Sequence, residues 1–314
     1  MVPKALKDLI DNYCMGVTPS DSQMDEIMNL VMELGADMTE ASDYIQKMLN
    51  GPTKKEREAK AEKSAKAAAE RKAKKEAEEK ILEDAKRKVL ETADQAYVDL
   101  GLSVYWSTHN LGASSPDGFG DYYAWGETSP KKSYDWSTYA HSSETRDPQK
   151  KSLAKLKNQP QIAQVFKKYC TDAEYGKVDK MSTLQPSDDA ASVNVRTKWK
   201  LFSKEKWRTP TDKEWEELLE KCTWALTTLK NVKGYLITGK NGNSIFLPAA
   251  GIIKDHPLAS ESDTIEYWSS SLCKGLCWAA KTCPSPDARK NPLLSGYNYE
   301  KRCYGLSIRP VLEK

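Results

Sequence analysis

The sequence predicts an α+β protein whose helices come first and whose strands come last. Three observations carry that expectation. Apolar residues recur at helical spacing up to residue 49, and residues 53–92 are almost entirely Lys, Glu and Ala. After Ala96 the period shifts to the alternation of strands. The composition shifts with it: all nine Trp lie after residue 96, and residues 53–92 hold no aromatic residue. The main hydrophobic core therefore belongs to the C-terminal two thirds of the 314 residues.

Residues 1–51 read as a small helical bundle. Leu6, Leu9, Ile10 and Tyr13 share one helical face, and Met24, Ile27, Met28, Val31, Met32 and Leu34 share another. Thr18-Pro19-Ser20 supplies a turn with capping residues before the second helix, and Gly35 ends it. Thr39 is expected to cap a third helix carrying Tyr44, Ile45, Met48 and Leu49, which Asn50-Gly51-Pro52 stops. A structural or docking role is the plain reading of so small a core. The segment also resembles the tellurite-resistance TerB-like bundles. Those carry an acidic Asp-Gly turn where this chain has Cys14-Met15-Gly16-Val17, so no metal site is carried over.

Residues 52–95 read as a long Lys/Glu/Ala helix, since these residues are strong helix formers and no Gly or Pro interrupts 53–92. A helix of that length spans on the order of 60 Å. Its thin stripe of Ala65, Ala69, Ala73, Ala77, Ile81, Ala85 and Val89 recurs every four residues. Such a stripe drifts around the helix, unlike a heptad seam. A solvated spacer is expected, with self-association or docking through 1–95 as the alternative, centred on Ile81, Leu82, Val89 and Leu90. Glu interleaves the Lys throughout, and the whole chain sets 48 Lys and Arg against 45 Asp and Glu, so no nucleic acid partner is expected.

Residues 96–314 read as one domain. Tyr97 to Trp106 enters it as a strand, and an aromatic, loop-rich stretch follows with Tyr122, Tyr123, Trp125, Tyr134, Trp136 and Tyr139. Residues 144–181 are polar and Lys-rich, and Ile162, Val165, Phe166 and Tyr169 suggest a short helix in an excursion from the core. Thr211 and Glu214 form a capping box ahead of Trp215, Leu218 and Leu219. Gly234 to Pro248 reads as two strands around Asn241-Gly242, a strong hairpin signal. Tyr267 to Leu272 and Arg302 to Val311 are regular ends around an irregular middle with four of the seven cysteines. That pattern suggests strands supporting a displayed surface.

Several of these pieces, in order, resemble one family. They are Tyr97 to Leu102, Gly120 to Glu127, Asp188-Asp189-Ala190-Ala191, Arg208 to Trp215, Phe246 to Gly251, Tyr267 to Leu272 and Gly305 to Val311. Together they resemble the C-type lectin-like domain of the formylglycine-generating-enzyme (sulfatase-modifying factor) branch, over about residues 96–312. The pattern is most similar to Bacteroidetes paralogous domains and to the variable proteins of diversity-generating retroelements. The resemblance implies a C-type lectin-like fold of small antiparallel sheets, two helices and long loops. It also implies a ligand-binding region within 267–304, with a protein or glycan ligand held through 273–304. The candidates there are Trp278, Asp287, Arg289, Asn291, Tyr297, Asn298, Tyr299, Glu300 and Tyr304. Aromatic rings supply contact area at low entropic cost, and amides supply adaptable hydrogen bonds. For Trp278 and Tyr304, which flank the strands, core packing is the alternative. Retroelement mutagenesis of AAY codons reaches Cys, Tyr and Leu, so Cys273, Leu293, Leu294 and Tyr297 are compatible with diversification. Lys274, Lys290, Glu300 and Lys301 are not.

Catalytic and metal readings are weaker. Formylglycine-generating enzymes use a copper-binding thiol pair in this region, but the gap between Cys273 and Cys277 is one residue shorter and the following Arg-rich segment is absent. A zinc site on Cys273, Cys277, Cys283 and Cys303 is a further alternative, although the spacings match no short zinc motif. Independent thiols are the simplest reading. His109, His141 and His256 show no partner pattern, and Asp188-Asp189 is read as a structural turn. The expectation is thus a binding protein, not an enzyme, without cofactor. Met1-Val2-Pro3-Lys4 leads into an amphipathic pattern instead of a signal peptide, and no run is long enough for a membrane span. A cytoplasmic chain is expected, with a phage particle or non-standard export as alternatives.

Overall fold

The computed structural model describes residues 2–145, 163–195, 206–254, 264–284 and 298–314. The chain divides into two compact units, Met1–Lys80 and Ile81–Lys314. It combines helices with several small antiparallel sheets, so the α+β expectation is met. No described helix is long and apolar enough to cross a membrane.

The first unit holds α1 (Lys4–Cys14), α2 (Asp21–Glu33), α3 (Met38–Leu49) and the start of α4 (Lys54–Glu91). Leu6, Ile10, Cys14, Ile27, Val31, Ala41, Ile45 and Met48 form its core. Side chains cap the starts of α2, α3 and α4, whereas Pro3 before α1 makes no side-chain cap. At α2 the Ser20 hydroxyl accepts the Gln23 N–H while the Gln23 side chain accepts the Ser20 N–H, a reciprocal cap. Gly35 ends α2 in the left-handed region (φ 59°), and the Ala36 N–H reaches back to the Val31 carbonyl at 3.0 Å. The cap of α3 is Asp37, not Thr39: Asp37 has the extended backbone of a cap and accepts the Glu40 N–H at 2.9 Å. Thr39 lies inside the first turn. Gly16 has a packing reason to be glycine, since a Cβ there would lie 2.7 Å from the Thr53 backbone.

In the second unit the end of α4 is no free spacer. Ala85 and Val89 are buried against Leu229, Leu236 and Phe246. Those residues belong to a three-stranded sheet of β6 (Thr223–Leu229), β7 (Val232–Thr238) and β8 (Ser244–Pro248), in that order. Numbering the strands in chain order, β7 and β8 are the predicted hairpin. The β6–β7 turn is formed by Lys230 and Asn231, both at positive φ (47° and 68°), which matches the twist of a tight hairpin.

A four-stranded sheet joins the domain's two ends. Its order is β1 (Tyr97–Val98), β2 (Val104–Ser107), β14 (Val311–Glu313) and β5 (Trp207–Arg208), so the last strand pairs with β2 and β5. Beneath it Trp106, Trp215, Tyr267, Leu247 and Val311 share one core. The α6 helix (Asp212–Lys221) starts at the expected capping box, with the Glu214 N–H on the Thr211 hydroxyl, and buries Trp215, Leu218 and Leu219 as predicted.

A second core contains Tyr123, Trp125, Tyr139, Phe166, Tyr169, Cys170, Trp268 and Leu306. The expected helix near Val165 is corrected here. Residues Ala163–Phe166 form β4, which pairs with β3 (Ser142–Thr145). Tyr169 adopts a left-handed backbone (φ 58°) that no helix tolerates, held by its N–H on the Asp179 carboxylate at 2.7 Å. Phe166, Tyr169 and Cys170 are buried, so of the excursion expected over 144–181 this part belongs to the core, while residues 146–162 lie outside the described residues. Apolar spacing alone could not distinguish the two, because the partner strand lies elsewhere in the chain.

Candidate ligand-binding surface

The remaining sheet is the platform of interest. It consists of β10 (Trp268–Leu272), β11 (Ala279–Thr282) and β12 (Tyr299–Lys301), in that order. β10 is buried between other elements. Its register with β11 slips between Trp268 and Leu272, and the three serines there bond elsewhere. The Ser269 carbonyl accepts the Trp125 indole N–H at 2.8 Å, and the Ser270 N–H donates to the Pro210 carbonyl at 2.8 Å. Small side chains allow neighbouring backbone to approach this closely.

From β10 the chain makes a compact turn. The Leu276 N–H donates to the Cys273 carbonyl, the Ala279 N–H donates to the Leu276 carbonyl, and Gly275 takes φ 79°. Trp278 ends this turn. β12 then lies along the sheet edge, pairing Lys281 with Tyr299, Ala280 with Glu300 and Ala279 with Lys301. Trp278 and Tyr299 meet edge to face with ring centroids 6.0 Å apart. Asn298, Tyr299, Glu300 and Lys301 are all half-buried, so the edge strand presents side chains while its backbone is held.

Of the predicted surface, Trp278 and Tyr299 therefore meet, and Asn298 and Glu300 adjoin Tyr299 along the edge strand, where successive side chains alternate faces. Tyr304 is not among them. It is only 7% exposed and belongs to the core with Tyr134 and Leu306. The reason is the next residue: Gly305 lies so close to the Tyr134 ring that a Cβ would stand 2.9 Å from it, which draws Tyr304 inward. Asp287, Arg289, Asn291 and Tyr297 lie outside the described residues.

The four C-terminal thiols do not converge. All seven cysteines are unlinked, and among the described residues no three His, Cys, Asp or Glu side chains gather as metal ligands. The Cys283 thiol donates to the Ile265 carbonyl, whereas Cys277 contacts the Tyr169 carbonyl and Cys170. Cys277 and Cys303 belong to one core and Cys283 to the other, so the described residues give no support to the zinc alternative on Cys273, Cys277, Cys283 and Cys303. Burial pushes the Cys273 and Cys283 thiols up.

Sequence reasoning missed Arg302. Its guanidinium is fully buried, 4.0 Å from the Phe166 ring centroid and within 6 Å of the Trp125 and Tyr139 centroids. Nη1 donates to the Tyr169 carbonyl at 3.2 Å, while Nε and Nη2 have no hydrogen-bond partner among the described residues. An Arg inside a predicted strand end gives no sequence sign of burial. Arg309 is its structural counterpart, with Nη2 on the Phe246 carbonyl at 2.7 Å, and burial lowers it to about 10.

Two of the clefts beside the second unit's sheets hold titratable groups singled out above. The larger, about 620 Å³, is lined by Thr183, Asp189, Trp207, Arg208, Thr209 and Ser270. Its charges are already engaged. Asp189 accepts the Thr209 hydroxyl at 2.6 Å, the Thr209 N–H at 2.8 Å and the Ala191 N–H at 2.9 Å, while Arg208 pairs with Glu214. That supports the structural reading of Asp188-Asp189. Burial alone would raise the Asp188 carboxyl, but the Lys168 ammonium and Tyr169 hydroxyl beside it hold it below the usual range. In the smaller cleft, about 410 Å³, His109 is lowered by burial and by the Arg309 charge. His141 is structural, with Nε2 2.7 Å from the Gly126 carbonyl, and His256 lies outside the described residues.

Fold and surface together define an α+β chain in which a helical module precedes a domain of small antiparallel sheets with a half-exposed aromatic edge. No protein-family model matches the chain, and neither a curated protein nor a solved structure matches it.

Proposed function

We propose that the chain is a recognition protein: a C-type lectin-like domain over about residues 96–312 holds a protein or glycan ligand on the surface within 273–304. The observation that carries this reading is the Trp278–Tyr299 pair at the edge of β12, flanked by Asn298 and Glu300. It combines rigid rings with adaptable polar groups, the chemistry of a binding patch. Binding is favoured over formylglycine-type oxidation of a substrate chain because Cys277 lies against Cys170 and Tyr169, inside the core and not on a surface that such a chain could reach. The N-terminal helices and α4 serve to dock or multiply the domain, where repeated weak sites gain by avidity. Retroelement diversification of the surface belongs to this reading as its origin.

The test is a screen of the full chain against immobilised glycans and candidate proteins, repeated with Trp278→Ala and Tyr299→Ala. A ligand whose affinity falls at least about tenfold in both variants supports the reading. A ligand bound equally well by both variants sinks it.

A further inference from the structure

The Cys170 and Cys277 thiols stand 3.9 Å apart in the second unit, although 107 positions separate them in sequence. Their surroundings differ. Cys170 is set rigidly, because the Asp179 carboxylate accepts both the Tyr169 and Cys170 N–H groups and the Asp179 N–H returns to the Cys170 carbonyl. Gly176 leaves room beside it, since a Cβ there would contact the Cys170 sulfur at 3.4 Å. Cys277 sits in the Cys273–Ala279 turn, whose Gly275 has no neighbour against the position of a Cβ. One sulfur is therefore held by the Asp179 hydrogen bonds while the other sits in a turn with open space at Gly275, and the buried Arg302 supplies positive charge beside them.

We infer that Cys170 and Cys277 are a redox pair, which a small peroxide converts to a disulfide that fastens the Trp278-bearing turn to the Tyr169–Cys170 segment. The step balances with hydrogen peroxide as oxidant. One thiolate attacks a peroxide oxygen, the O–O bond breaks, and hydroxide leaves and takes up the released thiol proton as water. The second thiol then attacks the resulting sulfenic sulfur, forming the S–S bond and releasing a second water. Reduction by a dithiol reverses it. Burial and the neighbouring Cys277 push the Cys170 thiol up, against the pull of Arg302, so oxidation through its thiolate accelerates as pH rises.

The experiment treats the full, reduced chain with hydrogen peroxide and maps its peptides without reduction. The expected result is a Cys170 peptide joined to a Cys277 peptide, with two of the seven thiols lost to titration in denaturant. Oxidation should raise the thermal midpoint by roughly 5–15 °C, because a long loop is closed. It should also slow amide exchange across 273–278. Cys170→Ala should abolish the link, and a circular dichroism spectrum checks its fold. The wild-type map decides alone if that variant fails to fold. Seven titratable thiols after treatment, or links through other cysteines, overturn the inference. Neither outcome depends on a ligand, so the test separates this pair from the recognition reading.

Discussion

The Arg302 guanidinium stands 4.0 Å from the centre of the Phe166 ring, and among the described residues its only hydrogen-bonded nitrogen is Nη1. The aromatic cage attracts the charge, while two unpaired donors oppose it. Shortening the side chain and replacing it therefore have different costs. Arg302→Ala should destabilise the domain by about 2–4 kcal/mol through the cavity it leaves. Arg302→Met keeps the volume and removes the orphan donors, so it should remain within about 1.5 kcal/mol of the parent. Urea unfolding followed by Trp fluorescence measures both, and equal losses would contradict the cage.

Arg208 and Glu214 form a bidentate pair at the start of α6, with contacts of 2.8 and 2.6 Å. Burial alone would raise the Glu214 carboxyl, but Arg208 and the Thr211 N–H outweigh it and hold it below the usual range. A depressed folded value means the contribution is present above the unfolded value of about 4.3 and is lost as pH falls through the folded one. Stability should thus decline below about pH 4.3, and Glu214→Gln should flatten part of that decline. Denaturation curves between pH 3 and 7 would show it.

The end of α4 is docked at Val89 and bare at Ile81, which is 69% exposed. Val89→Ala should cost roughly 2 kcal/mol from lost burial and the cavity against Leu229 and Phe246. Ile81→Ala should stay within about 0.5 kcal/mol. Equal effects in thermal unfolding would return α4 to the role of a free spacer.

Tyr304 and Tyr299 separate core from surface. Tyr304→Ala should destabilise by about 3–5 kcal/mol, as loss of a buried ring does. Tyr299→Ala should change stability by about 1 kcal/mol or less and act on ligand binding instead. The opposite ranking in denaturant titrations would exchange their roles.

Local chemistry was legible in advance wherever a signal and its partner lie close in sequence. The Thr18-Pro19-Ser20 turn before α2, Thr211 with Glu214 and the strands around Asn241-Gly242 all satisfy backbone groups within a few residues, so their patterns predict their structures. The Lys/Glu/Ala composition likewise determined α4, because its propensity needs no tertiary partner. Trp278 and Tyr299 were singled out by residue type, and the pairing of β11 with β12 brings their rings together. What only the tertiary structure decided depends on partners far along the chain. Val165 and Phe166 became a strand through β3, Tyr304 turned inward beside Tyr134, and Cys277 met Cys170 instead of Cys273 or Cys283. Arg302 lost its solvent to rings contributed by Trp125, Tyr139 and Phe166. Spacing encodes a residue's neighbours within one element; the identity of the atoms across the core is set only when those elements pack.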